Sequence, residues 1–356
     1  MVMTMGFRSY VQIVGNAASQ SVDRAFTKFL DKNINIPAGT RSRASVSHNH
    51  VRDILVDESY EDDEFPRILR DQDADFLGGS FSRHTKIWPL DDIDIYIPID
   101  GTRLIYSTGS RKLPYTVVSD DSSLESPLLI GGDRWMEGTS LSSKKLIDGF
   151  ANVLRRTYPS TTRVRRAGEA VNIETTSFGF DIVPCFLLRP HNPIEFEFYV
   201  IPDGEDGWIH TNPRIDDHVS LELQRNNNKT HRPAVKLVKW WNENRFGDKF
   251  DSYYIELAIM RSVQKLNGSG LFHVSVAEAV AHAFAGLASA ADGGDLASWI
   301  RTAPAVEVSK LTLSERIDLA LAAQTANAAF AKERAGDLQG AHKEWSSVFG
   351  DLFSPS

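Results

Sequence analysis

Two acids one residue apart, Asp92 and Asp94, sit in a run that is otherwise almost entirely apolar, Asp92-Ile93-Asp94-Ile95-Tyr96-Ile97-Pro98-Ile99. The isoleucines alternate strictly, so a β-strand with its two-residue period buries them on one face and turns both carboxylates to the other. Side chains at i and i+2 on one pleat lie roughly 6 to 7 Å apart at Cα, close enough to grip one hard cation or bridge a pair about 3.5 to 4 Å apart. Oxygen donors of this kind suit Mg²⁺ or Mn²⁺. Upstream, Leu77-Gly78-Gly79-Ser80 reads as a turn in which missing Cβ atoms let backbone N–H groups approach a phosphate, with the Ser80 hydroxyl as a further donor. Downstream, Phe178-Gly179-Phe180-Asp181-Ile182-Val183-Pro184 holds a third acid. A carboxylate in a core strand calls for a metal or a paired base, and Arg165 and Arg166 are the nearby bases. A phosphate-cradling turn beside metal-binding acids is the layout of metal-dependent nucleotidyl transfer.

Those acids need a sheet beneath them and walls around them. The spacing of Phe26, Phe29 and Leu30 predicts a helix over 21–30, and 45–55 reads as a second. Between 99 and 139, Gly, Ser, Asp and Pro dominate, with Tyr106 and Leu128-Leu129-Ile130 as apolar islands, so a loop-rich insertion with short strands is expected. A helix over 141–158 closes at Pro159, and strands follow over 162–166, 170–175, 178–188 and 194–201. The mixed lobe ends near Asp203.

From Pro213 onward the pattern turns helical, over 232–244, 253–266, 275–289, 313–335 and 338–349, with Ser275 and Glu278 at capping-box spacing and Gly336-Asp337 parting the last two helices. On the helix over 232–244, Val235, Val238 and Trp241 form a core stripe, while Lys236 and Lys239 share a neighbouring face and can point into one space. Of the adjacent Trp240 and Trp241, at most one points fully into the core. Ser252 has the type and place of an N-cap, a role compatible with holding an anion. Phe353-Ser354-Pro355-Ser356 reads as a flexible tail.

The 356 residues carry a formal net charge of −8, which argues against broad nucleic-acid binding and means that a triphosphate requires local help from metal and a few bases. Arg155, Arg156, Arg163, Arg165 and Arg166 form either an anion patch or a solvated face of ion pairs. The single cysteine, Cys185, has no internal disulfide partner and falls in a predicted strand, which favours a small core residue in a reducing compartment. Met1 to Gly15 lacks a basic start followed by an apolar stretch, and no run of about 18 apolar residues occurs, so neither a signal peptide nor a membrane span is expected. His48 and His50 face different ways on a helix and make a poor metal pair.

The run Gly79-Ser80-Phe81-Ser82-Arg83-His84-Thr85-Lys86-Ile87, then Asp92-Ile93-Asp94-Ile95, then Phe180-Asp181-Ile182-Val183-Pro184, resembles the nucleotidyltransferase core of the DNA polymerase β superfamily. Within it the likeness is to the bacterial CD-NTases, SMODS-type relatives of cyclic GMP-AMP synthase. Arg232-Pro233-Ala234-Val235-Lys236-Leu237-Val238-Lys239-Trp240-Trp241-Asn242 is similar to the family helix whose lysine contacts the donor triphosphate, here Lys239. Phe250-Asp251-Ser252-Tyr253-Tyr254-Ile255-Glu256 is similar to the next helix start, where a serine (Ser252) binds phosphate and a tyrosine (Tyr253) stacks on a base. Gly336-Asp337 and Trp345-Ser346-Ser347-Val348-Phe349-Gly350 extend the likeness, which runs from about Ala25 to the end.

The resemblance implies an α/β (α+β) bilobed fold with a central cleft: N-terminal spine helices over 1–60, a nucleotidyltransferase core with a mixed sheet over 61–205, and a helical lobe over 206–356. It implies that Asp92, Asp94 and Asp181 are catalytic and hold Mg²⁺ (or Mn²⁺), with Asp181 on the nucleophile side. Gly79, Ser80, Lys239, Ser252 and Tyr253 would hold the nucleoside triphosphates. The activity implied is synthesis of a cyclic di- or trinucleotide messenger for antiphage (CBASS) signalling in the bacterial cytoplasm, with a separate effector and regulatory proteins as partners. Two alternatives share these residues: a transferase toxin that modifies RNA ends or a protein, and a non-catalytic nucleotide sensor.

Overall fold

A computed structural model describes residues 22–69, 76–107, 116–119, 128, 133–158, 163–188, 198–300 and 303–354. The expectations for 1–15, Leu129-Ile130, the start of the strand over 194–201 and the last two residues of the tail lie outside the described residues.

Helix α1 covers residues 22–33 and α2 covers Ala38–Glu61. There follow β1 (Phe76–Leu77), the single turn α3 (Gly79–Ser82), β2 (Asp94–Pro98), and two small hairpins, β3 (Leu104–Ser107) with β4 (Thr116–Ser119) and β5 (Met136–Glu137) with β6 (Ser140–Leu141). Next come α4 (Ser143–Thr157), β7 (Arg163–Ala167), β8 (Ala170–Glu174), β9 (Gly179–Leu188), β10 (Phe198–Pro202) and β11 (Trp208–Thr211). Six helices close the chain: α5 (Pro213–Asn226), α6 (His231–Arg245), α7 (Ser252–Gly268), α8 (Val276–Gly293), α9 (Leu313–Arg334) and α10 (Leu338–Phe349).

The seven-stranded sheet is organised around β9, which pairs with β2 in parallel and with β8 and β10 antiparallel. The predicted alternation decides its faces. Ile95 and Ile97 of β2, with Phe180 and Ile182 of β9, join Leu146, Phe150 and Leu154 of α4 in one core. Asp94, Asp181 and Tyr96 therefore point to the opposite face, beside the smaller cluster of Val183, Cys185 and Tyr199. Cys185 is fully buried, as its place in the strand requires.

A second large core belongs to the helices, and α1 is part of it: Phe26 and Phe29 pack edge-on against Trp345 and Trp240. The two N-terminal helices thus serve different cores, α1 the helical one and α2 the sheet's, through Ala44, Val51 and Leu55. The sheet also runs through β11 to Thr211, beyond the expected boundary at 205.

Three expectations are corrected by packing. Trp240 and Trp241 are both buried, Trp240 against Phe29 and Trp241 against Phe246 and Phe284. Phe353 is no tail residue: it packs on Phe26 and Phe29, and its carbonyl accepts from the Ser346 hydroxyl at 2.9 Å. Of the expected capping box at α8, Ser275 accepts from Glu278 N, but the Glu278 carboxylate accepts from Val274 N instead of Ser275 N. The arginine cluster resolves as a face of pairs, with Arg156 on Glu58, Arg165 on Glu174 and Arg166 near Asp148.

Candidate active site

The glycine turn and the first acid form one unit. Gly78 N donates to the Asp94 carbonyl at 3.0 Å, tying the turn to β2. Gly79 has φ +62°, and a Cβ built there lies 1.7 Å from Asp94 Oδ2, so both the backbone and the carboxylate demand glycine. Across the sheet Asp94 and Asp181 are direct partners in the parallel register, with Asp181 N donating to the Ile93 carbonyl at 3.0 Å. Asp181 Oδ1 accepts from Asn172 Nδ2 at 2.8 Å, and Arg165 Nε donates to Asn172 Oδ1 at 3.3 Å. The expected arginine partner therefore reaches Asp181 only through an amide. Asp92 lies just before the strand, where the Lys86 ammonium binds it together with Asp91.

Crowding of these acids marks their electrostatics. Desolvation, then Asp92 and Asp181, pushes the Asp94 carboxyl up to about 7. Desolvation and Asp92 also raise Asp181, against the Asn172 bond. Burial opposes the Lys86 charge, but Asp92 and Asp91 hold its pKa above the ordinary value. Among the described residues no group of three or more His, Cys, Asp or Glu stands ready to hold a metal. The donor set nevertheless fits a hard divalent ion: two neighbouring carboxylates in register, one with its pKa raised by burial and then by like charge, and a third whose counter-ion is a single ammonium. To hold such an ion Asp92 would have to give up its pairing with Lys86.

Gly79, Ser80, Asp92 and Asp94 line a cavity of about 490 Å³, with Ser252 and Tyr253 on the opposite wall. Asp181 flanks Asp94 without lining it. Lys239 is not in the cavity: it is 3 % exposed and bound to Glu256, which also accepts from Arg83 Nε at 2.6 Å. Burial alone would push Glu256 upward, but Arg83 and Lys239 hold it down at about 2. Lys236 turns elsewhere, its Nζ donating to Asn35 Oδ1 at 2.8 Å. Ser252 is not the cap of α7. Asp251 takes that place, accepting from Tyr253 N and Tyr254 N at 2.7 and 3.2 Å, which leaves Ser252 in the first turn facing the cavity.

Tyr253 is held by Asp216, a residue that motif reading passed over along with the whole of α5. Tyr253 Oη donates to both Asp216 oxygens at 3.0 and 3.1 Å, and Trp299 Nε1 donates to Oδ1 at 2.6 Å. Desolvation pushes Asp216 up to about 6, opposed by Arg83 and by these two donors. The signal was present in sequence: buried Asp216, Val219, Ser220 and Leu223 follow helical spacing after Asn212, whose side chain caps α5.

No protein-family model matches the chain. A probable cyclic nucleotide synthase of Bacillus cereus (strain VD146) is 25% identical over 242 residues, 68% of this chain and 71% of the relative. A cyclic AMP-AMP-AMP synthase of an Acinetobacter species is 24% identical over 62% of this chain, which spans about half of that relative, 53%. Among solved structures, CdnC of E. coli MS115-1 with ATP superposes with a TM-score of 0.61 at 18% identity, covering 93% of this chain and 98% of CdnC. CdnC in complex with HORMA-deltaN gives 0.60 at 20% identity, covering 94% and 99%. The chain is thus similar to relatives named cyclic nucleotide synthases, and its mixed sheet and helical lobe share the fold of CdnC over nearly the whole length.

Proposed function

We propose that the chain joins nucleoside triphosphates into a cyclic di- or trinucleotide, releasing pyrophosphate. The observation that carries this reading is the in-register pair Asp94 and Asp181, set beside the Gly79-Ser80 turn on a cavity whose other wall holds Ser252 and Tyr253. In each condensation a ribose hydroxyl oxygen bonds to the α-phosphorus of a second nucleotide, the bond to the bridging oxygen breaks, and pyrophosphate leaves. Mg²⁺ or Mn²⁺ held by Asp92, Asp94 and Asp181 would neutralise the triphosphate and lower the pKa of the attacking hydroxyl. The chain's own groups do the positioning. The Gly79-Ser80 turn presents backbone N–H groups and a hydroxyl to phosphate, and Ser252 faces them from the first turn of α7. The Tyr253 ring, fixed by Asp216, offers a face for a base. Arg83 supplies fixed positive charge, while Lys239 acts from beneath through Glu256.

The same reading makes the protein a signalling enzyme of antiphage defence, cytoplasmic, whose product acts on a separate effector. The CdnC–HORMA-deltaN complex supports regulatory proteins as partners. Incubation with labelled triphosphates and Mg²⁺ alone should yield small phosphatase-resistant products, resolved by mass spectrometry. Asp94→Asn and Asp181→Asn should each lower product formation by about 10³-fold or more, with Asp181→Asn retaining triphosphate binding. Product only after an RNA or protein acceptor is added would instead indicate a modifying transferase, and bound nucleotide with no pyrophosphate a sensor.

A further inference from the structure

A second pocket, of about 200 Å³, opens between the end of α1 and the start of α6, lined by Leu30, Asn35, His84, Arg232, Pro233 and Lys236. It shares no lining residue with the acid-lined cavity. Its charge is one-sided. Arg232 and Lys236 line it one turn apart on α6, His84 sits at its edge, and Arg41 of α2 adds a further charge felt by both His84 and Lys236. Among the described residues, no acid stands within ion-pair distance of Arg41, Arg232 or Lys236. Asp31 and Asp217 act only from farther off.

Donors here are also under-used. Lys236 Nζ, with three hydrogens, donates to the neutral Asn35 amide oxygen, and among the described residues buried Arg232 Nε has no hydrogen-bond partner. Desolvation, then Arg41 and Arg232, brings Lys236 down to about 8, and desolvation with the same arginines brings His84 down to about 4.

We propose that this pocket binds a phosphate-type oxyanion: orthophosphate, pyrophosphate or the terminal phosphate of a small metabolite. Convergent guanidinium and ammonium donors match phosphate oxygens, and an anion offsets a partly buried excess of positive charge that no acid among the described residues pairs. The volume selects the size. At about 200 Å³ the pocket is smaller than the ~300 to 1,000 Å³ typical of sites for whole organic ligands, so it takes a phosphoryl or pyrophosphoryl group and leaves any remainder outside. Its position also gives it a line to the Gly79–Ser82 turn, because Arg41 Nη2 donates to the Phe81 carbonyl at 2.5 Å and His84 lies two residues past that turn.

The experiment needs no turnover. The full chain, in EDTA and low-salt buffer, is titrated separately with sodium phosphate and with pyrophosphate, and read by thermal unfolding and by ³¹P line width. Either anion should raise the unfolding temperature in a saturable way, and pyrophosphate binding tighter than phosphate would point to the reaction's own product as the source. Lys236→Gln should weaken binding about tenfold, the weight of one charge-assisted hydrogen bond. Lys236→Arg should retain binding, Arg232→Gln should also weaken it and serves if Lys236→Gln fails to fold, and Asp94→Asn should leave it unchanged. No shift with either anion overturns the proposal, as does a shift equal in both charge-removing variants and wild type, or a shift lost in Asp94→Asn.

Discussion

On the sheet side of the cavity Asp94 and Asp181 lie shoulder to shoulder with Asp92 nearby, and burial with like charge holds the Asp94 proton up to about 7. On the helical side Glu256 sits between Arg83 and Lys239, and Asp216 accepts from Tyr253 and Trp299, so the buried acids there have donors. Both regions place carboxylates out of water, but Glu256 is bound by two cations, whereas on the sheet side Lys86 pairs with Asp92 and leaves Asp94 and Asp181 without a bonded cation among the described residues. Buried groups with matched partners stiffen a wall, whereas crowded like charges cost stability and persist where a cation or substrate relieves them.

That contrast should break most visibly at Glu256. Glu256→Gln leaves two buried cations without their acid and should lower the unfolding free energy by about 3 to 5 kcal/mol in urea titration. A loss of about 1 kcal/mol or less, the worth of an exposed pair, would show that the helical wall is not held by charge. Gly79→Ala acts on the other side. Its Cβ displaces the Asp94 carboxylate, so product formation should fall about a hundredfold while stability falls by roughly 1 to 2 kcal/mol. Turnover near that of the wild type would separate the turn from the acid.

The smallest effect is a pH dependence at Asp216. Its folded pKa of about 6 lies above the ordinary carboxylate value of 3.8, so between these values the folded state binds more protons than the unfolded one. Its contribution to stability is therefore present at low pH and lost as pH rises from about 4 to 6. Glu256, held down at about 2 from the ordinary value of 4.5, has the opposite sign: its contribution is present above about 4.5 and lost as pH falls toward 2. Asp216→Asn should flatten the stability profile between pH 4 and 6 in thermal unfolding, and an unchanged slope would remove Asp216 from the account.

Periodicity made the sheet half legible. Strict isoleucine alternation placed Asp94 on the face away from the core, and the apolar run around Asp181 placed a second acid in a core strand, so their convergence needed only that β2 and β9 be neighbours. The helical half was harder to read because its acids pair over long sequence distances. Glu256 meets Arg83 across 173 positions and Asp216 meets Trp299 across 83, and neither pairing leaves a local pattern. The same holds for Phe353, which looked like tail until Phe26 and Phe29 were found beside it.

Sequence by itself determined the strands that present the acids and the last helix, Leu338–Phe349, since side-chain periodicity and capping are local properties of the chain. Tertiary structure alone decided that Lys239 lies beneath the wall and not in the cavity, that Asp216 holds Tyr253, and that Arg232 and Lys236 gather into a pocket of their own. A long charged side chain reaches in several directions from one backbone position, and the acid or space it finds is supplied by segments far away in the chain.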